Sequence, residues 1–129
     1  MRRLLLVEDS KLLMMTMKRI LCEAGFSVID TRNGDEALRL ARHMRPDLII
    51  LDLMLPGLGG EVVLRRLKED TTTSHIPVVI ISSLPQINAD KLKHEGAIAY
   101  IEKSKLELEK SDMLVKLLNA ALHKSMAHA

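Results

Sequence analysis

Acidic side chains follow two apolar runs of this chain, at the point where each run ends. Residues 4–7 are followed by Glu8 and Asp9, and residues 48–51 are followed by Asp52. Apolar runs of this length are typical of buried parallel strands, whose carboxyl ends meet at one edge of a sheet. Two carboxylates 4 Å apart repel each other by roughly 4 kcal/mol at a protein surface, so three of them need a cation or protonation. Oxygen ligands of this kind predict a hard divalent cation, above all Mg²⁺.

Two further apolar runs end on side chains of different chemistry. Residues 78–81 precede the hydroxyl group of Ser82, and the run that starts at Tyr100 leads to the ammonium group of Lys103. A metal ion, an ammonium group and a hydroxyl group around a carboxylate suit phosphoryl transfer, which depends mainly on positioning and charge neutralisation. Asp52 is the residue placed to act as the nucleophile, and it would form an aspartyl phosphate.

The elements that must position these side chains alternate regularly between strand and helix. Strands are predicted at residues 3–8, 28–31, 48–51, 76–81 and 97–101. Helices are predicted at about 10–23, 35–44, 61–69, 90–95 and 114–122. Right-handed crossovers then give an α/β fold, a doubly wound five-stranded parallel sheet with helices on both faces. Ser10 is expected to cap the first helix and Gly25 to end it, and Asn33 with Gly34 is expected to form a turn.

Length and composition limit the class of protein. With 129 residues the chain is expected to form one domain, with a core at about 3–123 and a tail or trimmed linker at 124–129. A net charge of +2 and 2% aromatic residues argue against direct binding of nucleic acid, which needs a concentrated basic surface or stacking platforms. The longest apolar runs have strand length and predict no membrane segment. The single cysteine, Cys22, cannot form an internal disulfide and is expected to be buried in a cytoplasmic protein.

Taken together, these motifs resemble the response-regulator receiver domain, the phospho-acceptor domain of bacterial two-component signalling. The resemblance is to the chemotaxis-regulator-like type, with the flavodoxin-like (βα)5 receiver fold, and it covers nearly the whole chain. Four segments carry it, in the family's order and approximate spacing: Glu8-Asp9; Asp52 with Leu55-Pro56-Gly57 and Gly60; Ile76-Pro77 before the strand of Ser82; and Tyr100 with Lys103. Each segment alone is a weak signal, and their combination is specific.

The resemblance implies a role for each position of the site. Asp52 would accept a phosphoryl group from the phosphohistidine of a histidine kinase or a histidine phosphotransfer protein. Asp9, Asp52 and the backbone carbonyl of Met54 would bind Mg²⁺ directly, and Glu8 would act largely through water. Lys103 would pair with Asp52 and then with the phosphate. No enzymatic activity is expected beyond self-phosphorylation and slow self-dephosphorylation.

The resemblance also implies a two-state switch. Ser82 would form a hydrogen bond with a phosphate oxygen, and Tyr100 would turn inward behind it. The surface of the fourth helix, fifth strand and fifth helix would then rearrange and control a downstream effector protein or an output domain. The same surface is the expected site of any weak homodimer.

Two features depart from the family's usual pattern. The family's lysine usually precedes a proline with a cis bond, whereas Ser104 follows Lys103 here, and the link at 105–110 is longer than usual. A cis bond before any other residue costs about 2.5–4 kcal/mol, so the sequence favours a trans bond. The apolar Met54 and Leu84 occupy the variable positions that flank the site, where polar groups of the family orient the hydrolytic water. Slow loss of the phosphate is therefore expected.

Three other functions fit parts of the pattern. A phosphatase of the haloacid-dehalogenase type needs a second aspartate two residues after the first, where this chain has Met54. A flavodoxin-like cofactor binder needs a phosphate loop rich in Gly, Ser or Thr after the first strand, where this chain has residues 8–10, two of them acidic. The third alternative is a degenerate receiver, which binds partners without being phosphorylated. Only the presence of Ser104 in place of proline favours it.

Overall fold

The computed structural model describes residues 2–84, 89–105 and 112–127. The strands in these ranges are β1 (Arg3–Val7), β2 (Ser27–Thr31), β3 (Leu48–Asp52), β4 (Val78–Ser82) and β5 (Ala99–Glu102). The helices are α1 (Lys11–Glu23), α2 (Gly34–Met44), α3 (Gly60–Glu69), α4 (Ala89–His94) and α5 (Asp112–Ala127), and a 3₁₀ turn (Lys103–Lys105) follows β5. All strand pairs are parallel, in the order β2-β1-β3-β4-β5. The predicted α/β fold with a five-stranded parallel sheet is confirmed.

The sheet is covered by helices on both faces because its central strands are apolar on both sides. Along β1 the side chains alternate, so that Leu5 and Val7 pack on one face and Leu4 and Leu6 on the other. The first face carries the buried side chains of α2, α3 and α4. The second face carries those of α1 and α5. This is the doubly wound arrangement, in which the loops after the strands meet at the carboxyl-end edge of the sheet.

The strand order reverses between β1 and β3. The chain goes from β1 to β2 on one side, and then crosses to β3 on the other side of β1. In open α/β sheets, ligands bind in the crevice that forms beyond the carboxyl ends of the strands at this point. Glu8 follows β1 directly and Asp52 is the last residue of β3. The topology therefore brings these two residues to the edges of that crevice.

Backbone caps define the ends of the first two helices. Ser10 caps α1 as predicted, because its side chain accepts a hydrogen bond from the N–H of Leu13 at 3.3 Å. At the other end Gly25 has a φ of +99°, which glycine adopts without strain. The predicted turn at residues 33–34 is wrong. Asn33 is instead the N-cap of α2, and its side chain accepts a hydrogen bond from the N–H of Glu36 at 3.0 Å.

The expected burial of Cys22 is also wrong, because this residue is exposed. Met17, Ile20 and Leu21 form the buried face of α1. Cys22 follows Leu21 by one residue, and a helix turns by about 100° per residue, so its side chain leaves that face.

The last helix is longer than the predicted range 114–122, since α5 continues to Ala127. No helix in the described ranges has both the length and the apolar character that crossing a bilayer requires.

Gly60, the first residue of α3, packs directly against the end of β3. A Cβ atom at this position would lie 2.7 Å from the Cα atom and 2.9 Å from the carbonyl oxygen of Leu53, and closer still to the carbonyl oxygen of Asp52. These are backbone atoms, so they cannot move aside as a flexible side chain would. The N–H of Gly60 donates to the carbonyl oxygen of Leu53 at 3.0 Å. The absence of a side chain therefore lets α3 hold the loop that follows Asp52.

Candidate functional site

Lys103 joins two buried carboxylates at the strand-end edge of the sheet. Its Nζ atom lies 2.7 Å from Oε1 of Glu8 and 3.4 Å from Oδ2 of Asp52. Glu8 is fully buried, Asp52 is 2% exposed, and the side chain of Lys103 is 22% exposed. The second carboxylate oxygen of Glu8 accepts a hydrogen bond from the N–H of Ser10 at 2.9 Å. The structure thus brings three of the predicted site residues together, with the ammonium group nearer to Glu8 than to Asp52.

Asp52 is held in conditions that disfavour its charge. Burial, and next the negative charge of Glu8, raise the pKa of Asp52 to about 6, although the N–H of Met54 and the charge of Lys103 act in the opposite direction. The N–H of Met54 lies 3.2 Å from Oδ1 of Asp52. One lysine thus serves two buried carboxylates. The site is short of positive charge, which a bound cation would supply.

Asp9 does not join the two buried carboxylates. Its side chain is 45% exposed, and its Oδ1 atom lies 3.7 Å from Nη2 of Arg32. The Nε atom of Arg32 also donates to the backbone carbonyl oxygen of Asp9 at 2.8 Å. Within the ranges that the structure describes, no three His, Cys, Asp or Glu side chains lie close enough together to hold a metal ion.

The donor atoms of the site nevertheless suit Mg²⁺. The carboxylates of Glu8, Asp9 and Asp52 offer only oxygen ligands, which hard cations prefer, and they lie directly after β1 and at the end of β3. Asp9 would have to leave Arg32 to complete the set. The residues therefore fit the metal in chemistry, and one of the three has to be rearranged.

The link that follows Lys103 is extended by a short turn. None of the peptide bonds in the described part of the chain is cis, so the bond between Lys103 and Ser104 is trans, as the sequence favours. Residues Lys103–Lys105 form the 3₁₀ turn, and Lys103 still reaches both carboxylates. The predicted long link at 105–110 lies outside the described residues from position 106 onward.

Ser82 and Tyr100 both bind the backbone of Leu84. Ser82 is fully buried at the end of β4, and its hydroxyl oxygen accepts a hydrogen bond from the N–H of Leu84 at 3.0 Å. The hydroxyl group of Tyr100 donates to the carbonyl oxygen of Leu84 at 3.0 Å, and this tyrosine is 6% exposed. Tyr100 therefore already points inward here, and one residue of the β4–α4 loop connects it to Ser82.

The two apolar side chains that are predicted to flank the site are partly exposed. Met54 is 56% exposed and Leu84 is 40% exposed. The Sδ atom of Met54 lies 3.8 Å from the hydroxyl oxygen of Ser83, so the loops after β3 and β4 touch. Both apolar side chains are thus partly exposed, on the loops that follow β3 and β4.

Arg32 is the site residue that the sequence analysis missed. It follows β2, and Thr31 of β2 is paired with Val7 of β1. The N–H of Glu8 donates to the carbonyl oxygen of Thr31 at 3.1 Å, which continues this pairing past the end of β1. The residues that follow the two strands are therefore neighbours. A predicted pairing of β1 with β2 is the signal that would have pointed to Arg32.

Comparisons with known proteins agree with this architecture. The sequence model of the family described as response regulator receiver domain matches residues 4–118. Protein PilH of Pseudomonas aeruginosa is 36% identical over 124 residues, which are 95% of this chain and 98% of that protein. The polar-differentiation response regulator DivK of Brucella anthropi is 38% identical over 103 residues, 79% of this chain and 84% of that protein.

A solved structure shows the same fold. The response regulator receiver domain protein (CheY-like) from Methanospirillum hungatei superposes with a TM-score of 0.88 over 100% of this chain and 99% of that one. The two sequences are 19% identical, so this likeness concerns the fold alone.

Proposed function

Because this chain belongs to the response regulator receiver domain family of two-component signalling, we propose that it is a working phospho-acceptor and that Asp52 receives the phosphoryl group. The observation that carries the proposal is the position of Asp52, buried at the end of β3 with Lys103 3.4 Å from its Oδ2 atom. A carboxylate attacks phosphorus best when nearby positive charge balances the charge of the transferred group. Lys103 provides one such charge.

In this proposal the phosphorus–nitrogen bond of a phosphohistidine breaks while a bond forms between phosphorus and an Asp52 oxygen. Asp9, Asp52 and the backbone carbonyl of Met54 would hold Mg²⁺, and Glu8 would act through water. When bound, Mg²⁺ would neutralise charge on the transferred oxygens. Lys103 would shift from the carboxylates towards the phosphate, and Ser82 would donate a hydrogen bond to it.

The partners follow from the same proposal. The phosphoryl donor would be a histidine kinase or a histidine phosphotransfer protein in the cytoplasm, and the downstream partner would be an effector protein or an output domain. Contact with this downstream partner would involve the surface of α4, β5 and α5, because Tyr100 of β5 is connected to Ser82 through Leu84. The whole of residues 1–129 would act as a single domain.

The test is the intact mass of the protein after incubation with acetyl phosphate, with and without Mg²⁺. We expect a gain of one phosphoryl group that requires Mg²⁺. The gain should be lost in Asp52→Asn and kept in Asp35→Asn, which removes an exposed aspartate at the start of α2. Label on the folded Asp52→Asn variant would contradict the assignment of the acceptor.

A degenerate receiver that binds partners without phosphorylation remains a second candidate. The observation that favours it is the ion pair of Asp9 with Arg32, which keeps one carboxylate away from the other two. A folded protein that binds Mg²⁺ but gains no phosphoryl group would support this second function and contradict the first.

Met54 and Leu84 lead us to expect that the phosphate is lost slowly, because Leu84 has no polar side-chain atom and the thioether of Met54 is only a weak acceptor that already faces the hydroxyl group of Ser83. Replacing Met54 by asparagine should speed hydrolysis by about threefold to tenfold, the equivalent of one hydrogen bond of about 1 kcal/mol. The control is Met15→Asn on α1, since Met15 and Met54 are both 56% exposed. The rate of phosphate release from the purified phosphoprotein measures the effect. A wild-type lifetime of only seconds would contradict the expectation.

A further inference from the structure

Arg32 makes two contacts with one residue of the site. Its Nε atom donates to the backbone carbonyl oxygen of Asp9 at 2.8 Å, and its Nη2 atom lies 3.7 Å from Oδ1 of the same residue. The guanidinium group therefore binds both the main chain and the carboxylate of Asp9. The hydrogen bond to the carbonyl oxygen holds the guanidinium group beside Asp9, and the 3.7 Å contact with the carboxylate is an ion pair rather than a hydrogen bond.

The site divides its charges into two groups. Glu8 and Asp52 share Lys103, whereas Asp9 has Arg32. The charge of Arg32 attracts the carboxylate of Asp9, while the charges of the two buried carboxylates repel it. Both effects favour the arrangement in which Asp9 does not join the pair that shares Lys103.

Arg32 lies beside the carboxylate that a metal ion in the proposed site would bind. Mg²⁺ at the strand-end edge would take the carboxylate of Asp9 as a ligand, and its positive charge would repel the guanidinium group. Binding of Mg²⁺ to this carboxylate therefore disfavours its ion pair with Arg32, and the reverse holds equally. The side chains of Arg32 and Asp9 are 54% and 45% exposed, so their ion pair is weak enough to be displaced.

We infer that Arg32 is a positioning residue that competes with Mg²⁺ for Asp9 and lowers the metal affinity of the receiver. This inference rests on the proposed function, because it takes Asp9 as a ligand of the metal. In the metal-free site Arg32 pairs with the carboxylate of Asp9, and metal binding breaks this ion pair. The Mg²⁺ concentration that fills the site thus depends on a residue of the β2–α2 loop as well as on the ligands themselves.

The experiment is isothermal titration calorimetry of Mg²⁺ into the wild-type protein, Arg32→Ala and Arg19→Ala at one ionic strength near 0.15 M. Arg19 is the matched control, because it is 64% exposed, pairs with Glu23, and lies about two turns into α1. At this ionic strength charges are screened over about 8 Å, so its loss should not act on the site. We expect the Kd for Mg²⁺ to fall by about threefold to fivefold in Arg32→Ala and to stay unchanged in Arg19→Ala.

The other outcomes overturn the inference in distinguishable ways. An equal Kd in the wild type and Arg32→Ala, or weaker binding by Arg32→Ala, would show that Arg32 does not compete with the metal. An equal fall in Kd for both variants would show a general effect of net charge. Binding of Mg²⁺ by none of the three proteins would overturn both this inference and the metal site of the proposed function.

Discussion

Replacement of Lys103 by methionine is expected to lower the free energy of unfolding by about 3 kcal/mol near pH 7. Methionine retains most of the apolar stem but removes the ammonium group, whose Nζ atom lies 2.7 Å from Oε1 of the fully buried Glu8. Loss of one partner from a buried ion pair leaves the other charge without compensation, which typically costs 3–5 kcal/mol. Because Lys103 is 22% exposed, we expect the lower end of that range.

The control for this prediction is Lys18→Met. The Nζ atom of Lys18 lies 2.6 Å from Oδ2 of Asp30, so the two lysines make ion pairs of almost the same length. The side chains of Lys18 and Asp30 are 43% and 26% exposed, however, and a pair of this kind contributes less than about 1 kcal/mol. Urea denaturation of the three proteins measures the difference. Equal losses in the two variants would show that burial of Glu8 is not the reason.

Replacement of Asp52 by asparagine is expected to act in the opposite direction and raise the free energy of unfolding by up to about 3 kcal/mol near pH 7, in the absence of Mg²⁺. Folding raises the pKa of Asp52 from 3.8 to about 6, through burial and next through the charge of Glu8. The folded protein therefore binds this proton more tightly than the unfolded chain does. The contribution of this proton to the free energy of unfolding is fully present below about pH 4. It is lost between about pH 4 and pH 6 and is absent above that range. Asparagine does not ionise, so the variant does not suffer this loss.

The measurement is urea denaturation of the wild type and Asp52→Asn across this pH range, in buffer with a chelator. The difference between the two proteins should be small near pH 4 and largest near pH 7, because other titrating groups are common to both. Asp35→Asn, at an exposed position in the first turn of α2, should show no such trend. A variant that is less stable than the wild type near pH 7 would contradict the cause given for the raised pKa.

Most of the fold could be predicted from the sequence, because β1, β3 and β4 are apolar runs followed by polar residues and the shorter β2 and β5 alternate with the helices in a regular order. The strand and helix ends differ by one to a few residues from the prediction. Asn33 was misread because an Asn-Gly pair suits a turn as well as the start of a helix, and only the hydrogen bond to Glu36 distinguishes them. Cys22 was misread because its neighbours in sequence are apolar, whereas burial depends on the face of the helix.

The candidate site could be predicted in part. Parallel strands place the residues after their carboxyl ends at one edge, so Glu8, Asp52 and Lys103 could be expected to lie close together. That Lys103 lies nearer to Glu8 than to Asp52 depends on side-chain geometry, which the types and spacing of the residues do not determine. The ion pair of Asp9 with Arg32 depends on the pairing of β1 with β2, which the sequence analysis did not specify.

The two hydrogen bonds of Leu84 have a consequence for observing the molecule. A hydroxyl group can accept and donate at the same time, so Ser82 can donate to an oxygen atom that arrives at Asp52 without releasing the N–H of Leu84. Residues 82–84 would then move together towards that oxygen atom. Because the hydroxyl group of Tyr100 is bound to the carbonyl oxygen of Leu84, the surroundings of the tyrosine ring would change as well. The chain has one tyrosine and no tryptophan. Its only strong intrinsic fluorophore is therefore the tyrosine bound to Leu84, and we expect the fluorescence of the unlabelled protein to change when Asp52 is phosphorylated.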